Sequence, residues 1–251
     1  MGIAQRNNPV LLKEGFMNVI DIVILVVLGA SVVYGLYKGF IETVLSVACC
    51  LISLFLAFTF GPQLSAEVSG NKGLSSTLAT YTDAVARVGD YSLASTPVNQ
   101  LSDNVINQIL ASTNLPKSIA SILQGNIKNQ VFSSAGLTTV NEYVSNTVVA
   151  VAVNVLCFIG VFALSYMVLS VLLGLIQHVF DLPLLKQLDW LAGGAFGLVR
   201  GALILYAIFL LVPILKTIIP IDNFSELLEQ STLAPIFQSD GFFSRVVSGR
   251  L

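Results

Sequence analysis

Charge is what this chain has least of. Only 10% of its 251 residues are Asp, Glu, Lys or Arg, against about 25% in soluble domains. A chain this poor in charge and 55% hydrophobic reads as a membrane protein before any motif is considered. The net charge is −2 and there is no basic block, which argues against nucleic acid as a partner. Histidine occurs once, at His178, and no Cys/His cluster accompanies it, so no zinc site is expected. The three cysteines, Cys49, Cys50 and Cys157, all lie in apolar runs. A disulfide framework would place them in polar loops, so they read as small buried residues. The sequence also lacks Gly-x-Ser-x-Gly, His-Glu-x-x-His and a nucleotide-binding loop, which argues against an enzyme and against a bound cofactor.

What the chain does have is long apolar runs. About 20 such residues cross a bilayer core. Four runs qualify, so the expected fold is an all-α membrane protein of four transmembrane helices arranged as two hairpins. Residues 1–16 form a polar tail, and Met17 stands immediately before the first run as an alternative start. The first hairpin occupies 17–60. Its spans run from Val19 to Tyr37 and from Ile41 to Phe60, with Lys38-Gly39-Phe40 between them and Gly61-Pro62 as a stop. No small-residue cleavage site separates these spans, so the first is expected to be a retained helix and not a signal peptide. The second hairpin occupies 148–219. Its first span, Val148 to Ile176, carries Asn154. Its last span starts at Leu191 and ends near Pro213 or Pro220.

Residues 61–147 form a polar loop region. Within it, Thr96-Pro97 resembles a helix start, followed by the stripe Leu101, Val105, Ile106, Ile109 and Leu110. A second short helix is expected from Pro116 to Gln124, stopped by Gly125. Such stripes would lie on the membrane surface or on the spans. Thr139-Val-Asn-Glu142 fits a capping box that opens the third span. Residues 220–251 form a tail with an interrupted amphipathic segment through Phe224, Leu228 and Phe237, broken by Pro235. An interfacial helix and an ordinary soluble tail both fit it.

Counting spans puts both short turns on one face. Lys38, Glu42, Asp189 and Arg200 therefore lie toward that face, and Asp21 lies toward the other. Arg200 is eleven residues from Asp189, about 16 Å along a helix, too far for a pair within one straight helix. Two readings of Arg200 stand. It pairs with Glu42, or it snorkels to the headgroups. Ser31, Gly35 and Gly39 recur at four-residue spacing, as do Gly193, Gly197 and Gly201. Small residues so spaced let helix backbones approach closely in lipid, so the late half of span one and the early half of span four are expected to pack antiparallel. Tyr34-Gly-Leu-Tyr-Lys-Gly39 also parallels Phe196-Gly-Leu-Val-Arg-Gly201. Transporter repeats can leave such traces, but the registers differ and chance similarity is the default.

Three elements together carry a family resemblance: Met17-Asn-Val-Ile-Asp21, the turn Lys38-Gly-Phe40, and Asp189 followed by Gly193, Gly197, Leu198, Arg200 and Gly201. In this order they resemble the colicin V production protein (CvpA) family, and Ser231-Thr-Leu-Ala-Pro235 fits its tail. The resemblance covers Met17 to about residue 60 and 148 to 237. It implies a four-span bacterial inner-membrane protein linked to production or export of a peptide toxin and to envelope homeostasis, with no catalytic residues. Related domains precede extracytoplasmic trypsin-like proteases. That implies that both termini and the long loop are outside and the short turns cytoplasmic. The expected partners are the lipid bilayer, a second copy of the chain, and an export component or protease. Three functions are weighed: a non-enzymatic scaffold or accessory factor, a small oligomeric channel or transporter with Arg200, Glu42 and Asn154 along its path, and an intramembrane enzyme. The first is preferred.

Overall fold

The computed structural model describes residues 18–70, 91–113, 115–177, 186–218, 222–238 and 240–248. The N-terminal tail with Met17, as well as His178 and Asp181-Leu-Pro183, lies outside the described residues. The fold is helical. Helix α1 spans Val19–Lys38 and α2 spans Phe40–Gly70. Two helices of the loop region follow, α3 at Asp103–Ser112 and α4 at Lys117–Lys128. Helix α5 spans Val140–Gln177, α6 Lys186–Phe209 and α7 Val212–Ile218. The tail holds α8 at Asp222–Gln230, a single turn at Ala234–Phe237, and α9 at Asp240–Ser248.

Four stretches are long and apolar enough to cross a membrane: Val19–Lys38, Phe40–Gly70, Val140–Leu175 and Asp189–Thr217. Helices suit lipid because every mid-helix amide is satisfied within its own segment. Their packing cuts across the expected hairpins. Helix α1 lies along α6, and α2 lies along α5 and against α6, whereas α1 and α2 meet only near their shared turn. Glycine explains the first pairing, as described below. Val23, Val26, Phe55, Leu164, Met167 and Leu175 are exposed around the outside, which is where lipid tails would lie.

Two stop signals fail. Helix α2 runs through Gly61-Pro62 to Gly70. The added turns are held from α5, where Ser65 donates to Asn154 Oδ1 and Gly61 faces the Phe158 backbone. Likewise α4 continues past Gly125 to Lys128, because Ile119, Leu123 and Ile127 form one buried stripe against α5. Only the fourth span obeys its proline. Pro213 has no N–H to donate to Phe209, and the helix breaks at Leu210–Leu211.

The 38 residues of α5 would extend about 57 Å, well beyond a core of about 30 Å. Its first turns therefore belong with the loop region. The capping box forms there: Glu142 Oε2 accepts from the Thr138 and Thr139 amides at 2.8 and 2.9 Å. Tyr143, Val144, Val148, Ile106 and Ile109 are buried around it. The extended segments at 96–98 and 138–140 are paired by the Val98 and Val140 amides, which donate to the Thr138 and Thr96 carbonyls. The first α-helix after Pro97 starts only at Asp103, behind a short 3-10 turn at Val98–Gln100. The tail is not free: Leu228, Phe237, Phe243 and Val246 are buried against the bundle.

Candidate functional site

The two small-residue rows meet. A methyl group on Gly193 would lie 2.7 Å from the Gly39 carbonyl carbon and closer still to the Gly35 oxygen. One on Gly197 would lie 2.5 Å from the Ser31 oxygen, and one on Gly201 would lie 2.9 Å from the Ser31 Cβ. The α1 and α6 backbones thus touch along an antiparallel seam that no larger side chain could enter. Ser31 adds a buried hydrogen bond from its hydroxyl to the Gly197 carbonyl, at 2.7 Å.

At the end of the seam, Asp189 closes the turn between α1 and α2. Its Oδ1 accepts from the Phe40 amide at 2.9 Å, which is a free donor at the start of α2. Gly39 is required here twice over. Its φ is +83°, a region glycine enters without penalty, and any Cβ would strike the Asp189 carboxylate. Phe40 also packs edge-on against Phe196, with centroids 5.3 Å apart. Thr43, fully buried, donates to the Gly39 carbonyl at 2.6 Å.

The expected Glu42–Arg200 pair does not form. Glu42 pairs instead with Lys38 at 3.0 Å, across the turn at Gly39. The tight turn sets the last residue of α1 beside the first turn of α2, and Lys38 takes the carboxylate. Nor does Arg200 reach outward. Its guanidinium sits over the Tyr34 ring, 4.4 Å from the centroid, and Nε donates to the Tyr166 hydroxyl at 2.8 Å. Tyr166 in turn lies 3.4 Å from Ser46 Oγ. Arg200 therefore ties α6 to α1 and α5 and, through Tyr166, to α2. Cation–π contacts are worth about 0.5–1 kcal/mol when exposed and about 2 when desolvated. One atom, Nη1, is buried without a partner.

The opposite end of α1 carries the mirror of the Asp189 arrangement. Asp21 is buried, at 4% exposure. Its Oδ1 accepts from the Ser231 hydroxyl at 2.5 Å and the Leu233 amide at 2.9 Å, and its Oδ2 accepts from the Thr232 amide at 3.2 Å. Ser231 Oγ accepts from the Ala234 amide at 2.9 Å, which starts the Ala234–Phe237 turn. Asn18 adds a bond from its side-chain amide to the Leu227 carbonyl. A carboxylate without a counter-ion is stable in such a place when several donors converge on it. The result pins residues 231–234 to the start of α1, 210 positions away in the chain.

The chain matches the profile of the colicin V production protein family over residues 20–98 and 119–241. The chain belongs to that family. No curated protein and no solved structure matches it. The family match extends through much of the loop region, farther than the span and tail motifs alone had indicated. Apart from Asn18, every residue that holds Asp21 and Asp189 in place falls inside it.

The family motifs are thus brought together in pairs. The early Asp21 meets the tail motif, and the late Asp189 meets the Lys38-Gly39-Phe40 turn. Gly35, Gly39, Gly193, Gly197 and Gly201 share one seam. Lys38 and Glu42 stay paired with each other. Sequence reasoning missed Tyr166, Tyr34 and Thr43. Tyr166 had one signal to offer: it is the only tyrosine in a long run of Val, Leu and Phe, and a hydroxyl in lipid needs a partner.

Proposed function

We propose that this member of the colicin V production protein family is a non-enzymatic scaffold or accessory factor of the bacterial inner membrane. It serves toxin production or export and, more broadly, envelope homeostasis. Both termini and the loop region lie outside and the short turns face the cytoplasm. Its partners are lipid, a second copy, and an export component or protease, with no nucleic acid.

The observation that carries this reading is the use made of the motif carboxylates. Asp21 and Asp189 each receive backbone amides from a distant part of the chain. Groups spent in this way fix shape. A transport relay needs ionisable groups that face a path or one another. What remains to act is the shape itself, and above all the loop region that α5 carries beyond the membrane.

One observation favours a channel or transporter instead: Arg200 Nη1 is buried and donates no hydrogen bond among the described residues. Two measurements on the full chain separate the readings. In-cell cross-linking from the loop face, followed by purification, should capture a membrane or extracytoplasmic protein. Reconstituted vesicles should show no Arg200-dependent flux. Robust flux that Arg200→Lys abolishes, with no captured partner, would replace the scaffold with the channel.

A further inference from the structure

A cavity of about 370 Å³ opens where three distant parts of the chain meet: the break in the fourth span, the start of α4, and the tail. Its floor is apolar, with Phe209, Leu210, Phe237 and Phe243. Its polar groups include two cations, Lys117 and Lys216, and one acid, Glu229. Among the described residues, the ion pairs are Lys38–Glu42 and Lys128–Asp103, so neither Lys117 nor Lys216 pairs with an acid among the described residues.

Position adds a constraint. Phe209 lies twenty positions after Asp189 along the helix, a rise of about 30 Å at 1.5 Å per residue, which is the thickness of a bilayer core. Trp190 stands exposed beside Asp189, as interfacial tryptophans do. The break at Leu210–Leu211 therefore falls at the headgroup level of the opposite, loop-side leaflet. The cavity sits at that break, apolar toward the spans and cationic at Lys117 and Lys216. Its volume is near the small end of ligand pockets, about 300–1,000 Å³. It has room for part of one chain and a head, not for a protein segment.

We infer that this cavity binds an anionic amphiphile: an acyl or alkyl chain against Phe209 and Phe243, with its phosphate or carboxylate on Lys117 and Lys216. A phospholipid of the loop-side leaflet supplies that chemistry, and so does a free single-chain amphiphile. A zwitterionic lipid leaves one lysine facing its own cation and fits worse. The tail forms one wall, so the ligand also joins the tail to the fourth span. The inference does not rest on the scaffold reading, and holds equally for a channel.

The test uses the full chain in a non-ionic detergent and native mass spectrometry with added phosphatidylglycerol, phosphatidylcholine or dodecyl phosphate. Phosphatidylglycerol should be retained over phosphatidylcholine. The Lys117→Gln/Lys216→Gln variant should bind it about 30-fold more weakly, at roughly tenfold or less per lysine. Glu229→Gln should bind it more tightly. Binding of dodecyl phosphate with the same lysine dependence also supports the site, and its strength relative to the phospholipid identifies the natural source. All three changes are at the cavity edge, and circular dichroism checks that the variants fold. Equal retention of the two phospholipids, or anionic binding that ignores both lysines in a folded variant, overturns the inference.

Discussion

Replacing Gly193 by alanine adds one methyl group at the tightest point of the seam. That methyl would sit 2.7 Å from the Gly39 carbonyl carbon, where carbon atoms prefer about 3.5–4.0 Å. Its neighbours are backbone on a second helix, so no rotamer change relieves the clash. The two helices must part by about 1 Å. Overpacking of this kind costs about 1–3 kcal/mol. The separation also stretches the Ser31–Gly197 bond, and membrane hydrogen bonds average about 0.6 kcal/mol. At about 2–4 °C per kcal/mol for a chain of this size, Gly193→Ala should lower the melting temperature by about 2–12 °C. The control is Gly29→Ala in the same α1, where an added methyl meets nothing within 4 Å. There alanine should be neutral or stabilise by about 0.5–1 kcal/mol, the helix penalty of glycine. Thermal unfolding of the purified full chain, followed by loss of the monodisperse peak, compares the two. If Gly193→Ala melts with Gly29→Ala, the seam is not a backbone contact.

Four other perturbations follow from the same geometry. Asp21→Ala leaves the Thr232 and Leu233 amides without their acceptor, at about 1–3 kcal/mol for each buried group left unpaired; amide exchange at 231–237 should accelerate while the α5 core stays protected, and unchanged exchange in the tail would refute the clasp. Arg200→Lys loses both the planar stack on Tyr34 and the Nε bond to Tyr166, since lysine reproduces neither. A double-mutant cycle with Tyr166→Phe should show coupling of about 0.5 kcal/mol or more, and strictly additive losses would count against the contact. Glu42→Gln should cost at most about 1 kcal/mol, as a partly exposed ion pair does. The charge swap Glu42→Arg with Arg200→Glu should rescue nothing that the single changes damage; recovery of stability or function would reinstate a direct Glu42–Arg200 pair.

Much of this architecture was legible because lipid simplifies the rules. Length and hydropathy mark the four spans, and close helix approach demands small residues, so the rows at Ser31–Gly39 and Gly193–Gly201 announced their contact. The capping box at Thr139–Glu142 is a purely local device and was equally readable. What failed needed knowledge of a distant neighbour. Gly61-Pro62 stops a helix in isolation, but contacts from Asn154 and Phe158 carry α2 past it. Glu42 had two cations within conceivable reach, and only the three-dimensional arrangement shows that Tyr34 and Tyr166 already occupy Arg200. Asp21 looked like a residue at a membrane edge. Its true partners, Ser231 to Leu233, lie across almost the whole chain, and no periodicity links them.

The central claim is that the glycine rows form an internal seam between α1 and α6 and not a contact between copies. Cysteines at Ser31→Cys and Gly201→Cys, in a chain with Cys49, Cys50 and Cys157 replaced by alanine, test it directly. The Cβ positions lie 2.9 Å apart, and slight relaxation brings them to the roughly 3.5–4.5 Å of a disulfide. Mild oxidation in native membranes should give a rapid intramolecular bond with no change in oligomer mass, while Ser31→Cys paired with Gly160→Cys should give none. Disulfide-linked dimers from the first pair, or no bond at all, would contradict the account.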